Sequence, residues 1–275
     1  MEHSKSHIFY FAGSEKSRMD LFQSFLKDVL ITNNPRSHYV IGKQLMTPEE
    51  RITSLEKKVE ELSRELGMLK DIHAVRTLHF KYGYYMDKCL FGEIVDLFSD
   101  SCEIYFMGGL FRGKAGARRL YGGASGLNGP VHGMMFEHIL GQDIVDVAAD
   151  RMTALGRFRC FMQGGVHASK TDAPARIPAQ FWESGVYENV YAKEDGVWKF
   201  KVFNYNISWQ ARYENGWAHS PPGTLMVVPY TKTYPDDPKG PDELTGPPHL
   251  WPENTIVPFH YPNPVTGKWL KTPTK

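Results

Sequence analysis

The chain lacks most of the features that would assign it to a class on sight. Its 275 residues hold only three cysteines, Cys89, Cys102 and Cys160. An odd, widely spaced set excludes a disulfide framework and a CxxC metal or redox motif. Charge of one sign is missing too: 32 Lys and Arg stand against 31 Asp and Glu, a formal net charge of +1. With the basic residues scattered rather than striped, the chain has no electrostatic footprint for nucleic acid or an anionic membrane. No apolar run approaches the roughly 20 residues of a membrane span. The opening MEHSKSHIFYFAGSEKSR is not organised as a signal peptide, because Gly13 and charges break its short apolar patch. HxH, HExxH and clustered-carboxylate patterns are absent, and the glycine-rich stretch 122–133 has neither P-loop nor dinucleotide spacing. These absences lead to the expectation of a cytoplasmic protein with no metal and no organic cofactor. Chemistry of that kind is proton transfer: elimination, isomerisation, cyclisation or hydrolysis.

What is present is an aspartate in apolar company. Residues 82–100 read YGYYMDKCLFGEIVDLFSD, the end of one helix and the start of another with Asp87 at the joint. Tyr82, Tyr84, Tyr85, Met86, Leu90 and Phe91 crowd round it. Two readings stand side by side. Asp is a favoured N-cap, so Asp87 caps the second helix; or it is a desolvated carboxylate that shares its charge with a histidine. The segment FEHIL offers His138 as that partner. Cys89, two residues from Asp87, reads either as a nucleophile or as a buried thiol.

Three parts are expected along the chain: an extension over 1–46, a main domain over 47–212 and a proline-rich arm over 213–275. Within the extension, 20–31 is expected to form a short amphipathic helix stopped by Asn33-Asn34-Pro35. Thr47-Pro48-Glu49-Glu50 is a capping box with proline at the first helical position. Behind it Ile52, Leu55, Val59, Leu62, Leu66 and Leu69 follow heptad spacing, a seam expected to pack on its own domain or on a neighbouring subunit. The helix is expected to run on to Tyr82, with Gly67 as its weakest point.

Residues 102–106 then read as a strand, Gly108-Gly109 as a turn, 114–121 as a short helix and 122–133 as a flexible lip. Strands over 136–147 and 152–163 are joined by a turn at Ala149-Asp150. Strands over 182–192 and 197–208 flank Lys193-Glu194-Asp195-Gly196. Aromatic density suits a curved sheet laid over a helix layer. The last segment keeps Trp251, Phe259, Tyr261 and Trp269 among its prolines, too apolar for a disordered tail and expected to wrap its own subunit or a partner.

The stretches RTLHFKYGYYMDKCLFGEIVDLFSDSCEI, FRGKAGARRLY, MMFEHILGQDIVDV and WESGVYENVYAKEDGVWKFKVFNYNI together resemble the SnoaL-like branch of the nuclear-transport-factor-2-like superfamily. The resemblance covers about 69–212. It implies an α+β, cone-shaped domain with a curved antiparallel sheet over helices, carrying here an N-terminal helical extension and a C-terminal proline-rich arm. Scytalone dehydratase and hexachlorocyclohexane dehydrochlorinase are families of this branch. Matched to their motif, Asp87 and His138 take the places of the aspartate and the histidine base. The additional polar residues of the dehydratase do not map cleanly onto this chain.

Strand alternation adds Phe136 and Leu140 to the face of His138. On the next strand either Arg157 and Arg159 or Phe158 and Cys160 point inward; an inward Arg157 would bind a carboxylate or phenolate. His167 and His132 reach the cone mouth or are solvated loop residues. Asn204 and Asn206 either bond a ligand or satisfy the sheet edge. Tyr84 and Tyr85 either steady a substrate oxygen or merely pack. The function expected is a lyase, dehydratase or isomerase without a cofactor, acting on a hydrophobic aromatic molecule such as a lignin-derived phenolic or a polyketide. A polyketide-type cyclase and a non-catalytic binding module are the alternatives. A homo-oligomer, dimer or trimer, is expected.

Overall fold

A computed structural model describes residues 47–123, 129–172, 177–221 and 229–270. The helix expected at 20–31 and the centre of the glycine-rich lip lie outside the described residues. The chain divides into two compact units, Met1–Lys58 and Val59–Lys275. In the first, the described residues open helix α1 (Pro48–Asp87). Its capping box is formed: Glu50 N–H donates to Thr47 Oγ1 at 3.2 Å, and Thr47 N–H donates to the Glu50 carboxylate at 2.7 Å. Of the seam, Ile52 and Leu55 here and Val59, Leu62, Leu66 and Leu69 in the second unit are all more than half exposed.

In the second unit α1 changes character where its apolar face begins to bury. Val75, Leu78, His79 and Tyr82 are buried against the inner face of a seven-stranded sheet. After α1 come α2 (Phe91–Asp96), β1 (Phe98–Phe106), β2 (Gly109–Arg112) and α3 (Gly113–Gly123). Four long strands follow: β3 (Met134–Val147), β4 (Thr153–Val166), β5 (Gln180–Glu194) and β6 (Val197–Arg212), with the short β7 (Glu243–Leu244) last. The order across the sheet is β3-β4-β5-β6-β1-β2-β7. Every pairing is antiparallel except β1 with β6, which is parallel because β1 enters from the helices rather than from a hairpin. This is the expected α+β architecture with one parallel junction.

Alternation along the strands builds the core, with a break at Lys201-Val202 of β6 that brings both Phe200 and Phe203 inward. Phe158 and Cys160 on β4, Tyr187 and Tyr191 on β5, and Phe200 and Phe203 on β6 are almost fully buried. Each such aromatic contributes about 1.5–3 kcal/mol on burial, which is what holds the long helix to the sheet. His79 belongs to this core. It stacks on Phe158 with ring centroids 3.9 Å apart, its Nδ1 meets Tyr191 Oη at 3.0 Å, and burial pushes its pKa down to about 3, so it stays neutral.

The β5–β6 connection is the two-residue turn Asp195-Gly196, both at positive φ, as the Asp-Gly signal requires. The turn expected at Gly108-Gly109 sits one residue earlier, at Met107-Gly108, and Gly109 starts β2, a strand too short for periodicity to reveal. The proline-rich arm packs on the sheet. Asp242 N–H and Thr245 N–H donate to Leu110 O and Gly108 O, both at 2.8 Å, and Trp251 N–H donates to Ser208 O at 2.9 Å.

Candidate functional site

Asp87 is the last residue of α1, not the cap of α2. The N-cap of α2 is Leu90, whose side chain makes no capping bond, so the capping reading is overturned. Instead the helix closes on itself: Leu90 N–H donates to Tyr85 O at 2.9 Å and Cys89 N–H to Met86 O at 3.1 Å, with Cys89 at positive φ. This is the Schellman arrangement, with cysteine where glycine is usual. A carboxylate at a helix C-terminus opposes the helix dipole by about 0.3–1 kcal/mol, so Asp87 must gain its partner elsewhere.

That partner is β3. One turn before Asp87, Gly83 brings the helix against the strand; a Cβ there would lie 2.8 Å from Leu140 Cδ1 and 3.5 Å from His138 O. At that approach Asp87 Oδ1 accepts both the His138 backbone N–H and the ring Nδ1–H, each at 2.8 Å. Both side chains are largely buried. Because a carboxylate only accepts, the neutral ring carries its proton on Nδ1 and presents a lone pair on Nε2. No described residue bonds Nε2.

His138 lines a cavity of about 220 Å³ bordered by α1, α2, α3, the sheet and the arm. Its wall is mostly apolar and aromatic, including Tyr82, Phe136, Tyr187 and Phe203, and Glu183 and Gln210 add polar groups from β5 and β6. The tyrosines are held protonated. Burial raises the Tyr82 phenol, and burial followed by the charge of Glu183 raises that of Tyr205 well above its ordinary value. Cys89 also lines the cavity, but burial and then Asp87 beside it push its thiol up. A thiol kept protonated is a poor nucleophile, which favours the buried-thiol reading. Among the described residues no group of three or more His, Cys, Asp or Glu could hold a metal ion.

The other sequence candidates divide. Phe136 shares the inner face of β3 with His138 and lines the cavity. Leu140 is in phase with them but packs against Gly83 instead. Tyr84 points outward and is 74 % exposed, and Tyr85 packs beside the core without reaching the cavity, because helical rotation gives the inward position to Tyr82 and Met86. Arg157 is a correction as well. Phe158, Cys160 and Met162 take the inner face of β4, which turns Arg157 outward to Glu188, to Val257 O and Pro258 O of the arm, and to the Phe259 ring. Arg159 faces the same way, to Gln142 at 2.8 Å.

His167 is exposed and pairs with Ser169 at 2.8 Å, and His132 is exposed too; neither joins His138. Asn204 and Asn206 lie on the opposite side of β6 from Phe203 and Tyr205. They line a second cavity, of about 230 Å³, between the sheet and residues 245–257 of the arm.

Glu183, Tyr187, Tyr205 and Gln210 were missed. A signal for Glu183 was available, since it is in phase with the aromatic residues Phe181, Tyr187 and Tyr191 of the same strand. A glutamate in that phase is on the inside.

The sequence profile of the SnoaL-like domain matches residues 67–204. Among solved structures, a candidate scytalone dehydratase from Novosphingobium aromaticivorans is 17% identical, with 61% of this chain and 97% of that chain covered and a TM-score of 0.43. The hexachlorocyclohexane dehydrochlorinase LinA-type3 from Novosphingobium barchaimii is 21% identical, covering 57% and 99%, TM-score 0.43. ActVI-ORFA from Streptomyces coelicolor is 14% identical, covering 50% and 96%, TM-score 0.39. No curated protein matches the chain.

Proposed function

The chain belongs to the SnoaL-like domain family, and we propose that it is a cofactor-independent lyase, a dehydratase or an isomerase, in which Asp87 and His138 act as one dyad on a hydrophobic aromatic molecule. The observation that carries this reading is the state of the imidazole: Nδ1 tied to Asp87, Nε2 without a partner among the described residues, and the ring at the wall of an aromatic cavity. Nε2 takes a proton from a substrate C–H or O–H. The Asp87 carboxylate then stabilises the imidazolium. Returned to a departing oxygen, that proton completes an elimination; returned to a second carbon, it completes an isomerisation. Lignin-derived phenolics and polyketides are the substrate classes whose size and apolarity suit the wall. Residues 47–212 form the catalytic domain in this reading, with 1–46 and 213–275 as its extensions.

Incubation of the purified protein with a phenolic and polyketide panel, read by mass spectrometry, tests the proposal. Loss of water or a small carbonyl fragment, or isomerisation, is the expected outcome. His138→Ala and Asp87→Ala should each lower turnover about 10²- to 10⁴-fold, and the double variant should be little worse than the poorer single one. Near-normal turnover by folded His138→Ala removes the dyad. Ligand binding without turnover by the wild-type protein makes the chain a binding module instead. Ring-closed products of unchanged mass identify a cyclase.

We also propose a homo-oligomer in which a second copy covers the apolar seam of α1, where Val59, Leu62, Leu66 and Leu69 are exposed at heptad spacing. Light scattering should report more than one chain per particle, and Leu62→Glu with Leu66→Glu should return the mass to 31.4 kDa.

A further inference from the structure

The cavity has a second polar pole that the dyad does not use. Glu183 is opposite Met162 on one side and Gln210 on the other, and Met162 is itself opposite His138. His138, Met162, Glu183 and Gln210 therefore form a single rung across β3, β4, β5 and β6, and all four line the cavity. The backbones of His138 and Glu183 are two strand spacings apart, about 10 Å, a gap that a substituted aromatic ring bridges. Glu183 is buried, yet among the described residues no cation pairs with it. Its oxygens take two neutral donors instead, Tyr205 Oη–H at 2.7 Å and the Gln210 amide. Each carboxylate oxygen has about two lone-pair sites, so acceptor capacity remains at an otherwise apolar wall. The backbone pairing of β5 with β6 already ties that rung together, so the carboxylate is not needed as a fastener.

We propose that Glu183, steadied by Tyr205 and Gln210, binds a free phenolic hydroxyl of the substrate and so places the far end of the ring under His138 Nε2. The assignment rests on the aromatic reading of the cavity and adds to it a requirement for a hydrogen-bond donor on the ring. An O-methylated ring has no proton to give and leaves the carboxylate facing carbon. A cationic ligand fits less well, because the imidazolium formed at His138 during proton transfer would share the cavity with it.

Calorimetric titration of the full chain at pH 7 with 2-naphthol, 2-methoxynaphthalene and 2-naphthylmethylamine separates these cases. A hydrogen bond to a charged acceptor predicts that 2-naphthol binds about 10- to 100-fold tighter than its methyl ether. Glu183→Gln should abolish that preference, whereas Tyr205→Phe, which takes one donor from Glu183, and His138→Ala should keep it. A merely structural glutamate would weaken both naphthalenes alike. Equal affinity of the wild-type protein for 2-naphthol and its ether overturns the Glu183 assignment and leaves the aromatic cavity standing. Tightest binding of the amine overturns the hydroxyl in favour of a cation. Binding of none of the three overturns the aromatic reading and this assignment together.

Discussion

Asp71 on α1 and Glu183 on β5 are carboxylates buried to nearly the same extent, and the protein treats them in opposite ways. Asp71 is closed off by donors. Arg151 Nε reaches one oxygen at 2.6 Å, and Lys193 and the Trp198 indole N–H, the latter at 3.0 Å, reach the other. Burial pushes its pKa up, but the bonds from Lys193, Arg151 and Trp198 outweigh that and bring it down to about 2. Even Gly67, the weak point of the helix on propensity, belongs to this arrangement: a Cβ there would lie 2.2 Å from the Arg151 guanidinium. Glu183, by contrast, meets only neutral donors among the described residues and faces a cavity. A buried charge enclosed by cations holds elements together, whereas one left with neutral partners at a cavity wall keeps capacity for something that comes and goes.

Replacing each carboxylate is the strongest way to break the comparison. Asp71→Ala strands two cationic side chains and an indole N–H. It should cost about 3 kcal/mol in denaturant unfolding, the lower end for a broken buried pair because Arg151 keeps contact with water. Glu183→Gln should cost about 1 kcal/mol or less. A larger loss at Glu183 than at Asp71 would reverse the assignment of roles.

Acid sharpens it next. The folded pKa of Asp71, about 2, lies below the ordinary 3.8, so its contribution is complete above pH 4 and is lost as pH falls from about 4 to 2. The difference corresponds to about 2 kcal/mol. The stability gap between the wild-type protein and Asp71→Asn should shrink by that amount between pH 5 and pH 2, measured by urea unfolding. A gap independent of pH would show that Asp71 is not held ionised by its partners.

The smallest effect is expected at Gly83→Ala. The helix gains about 1 kcal/mol of propensity, which offsets the crowding of the new methyl against Leu140 Cδ1 on β3. Stability should stay within about 1 kcal/mol, while turnover falls several-fold because β3 moves away from Asp87. Unchanged turnover would mean that the close approach is not what sets the Asp87–His138 distance.

Much of the fold was legible because it is written in local chemistry. The Thr47–Glu50 capping box and the Asp195-Gly196 turn each depend on residues a few positions apart. Asp87 stood out for a local reason as well, a carboxylate in aromatic company. Its neighbours were misjudged where orientation mattered. Tyr84 and Tyr85 are adjacent to Asp87 in sequence but rotate away from the cavity, while Tyr82, one turn earlier, faces it. Asn204 and Asn206 share a face, but it is the face turned to the arm.

By itself the sequence determined the long helix ending at an aspartate, the four long strands and the turn between the last two, because propensity, capping and period-two patterning act over a few residues. Only tertiary structure decided which carboxylate meets which donor. Asp87 reaches His138 because Gly83 lets α1 close on β3, Asp71 is bound by residues 80 and more positions away, and Glu183 shares a rung with His138 through strand register. Burial, charge pairing and register are properties of distant segments brought together, and no window of the chain contains them.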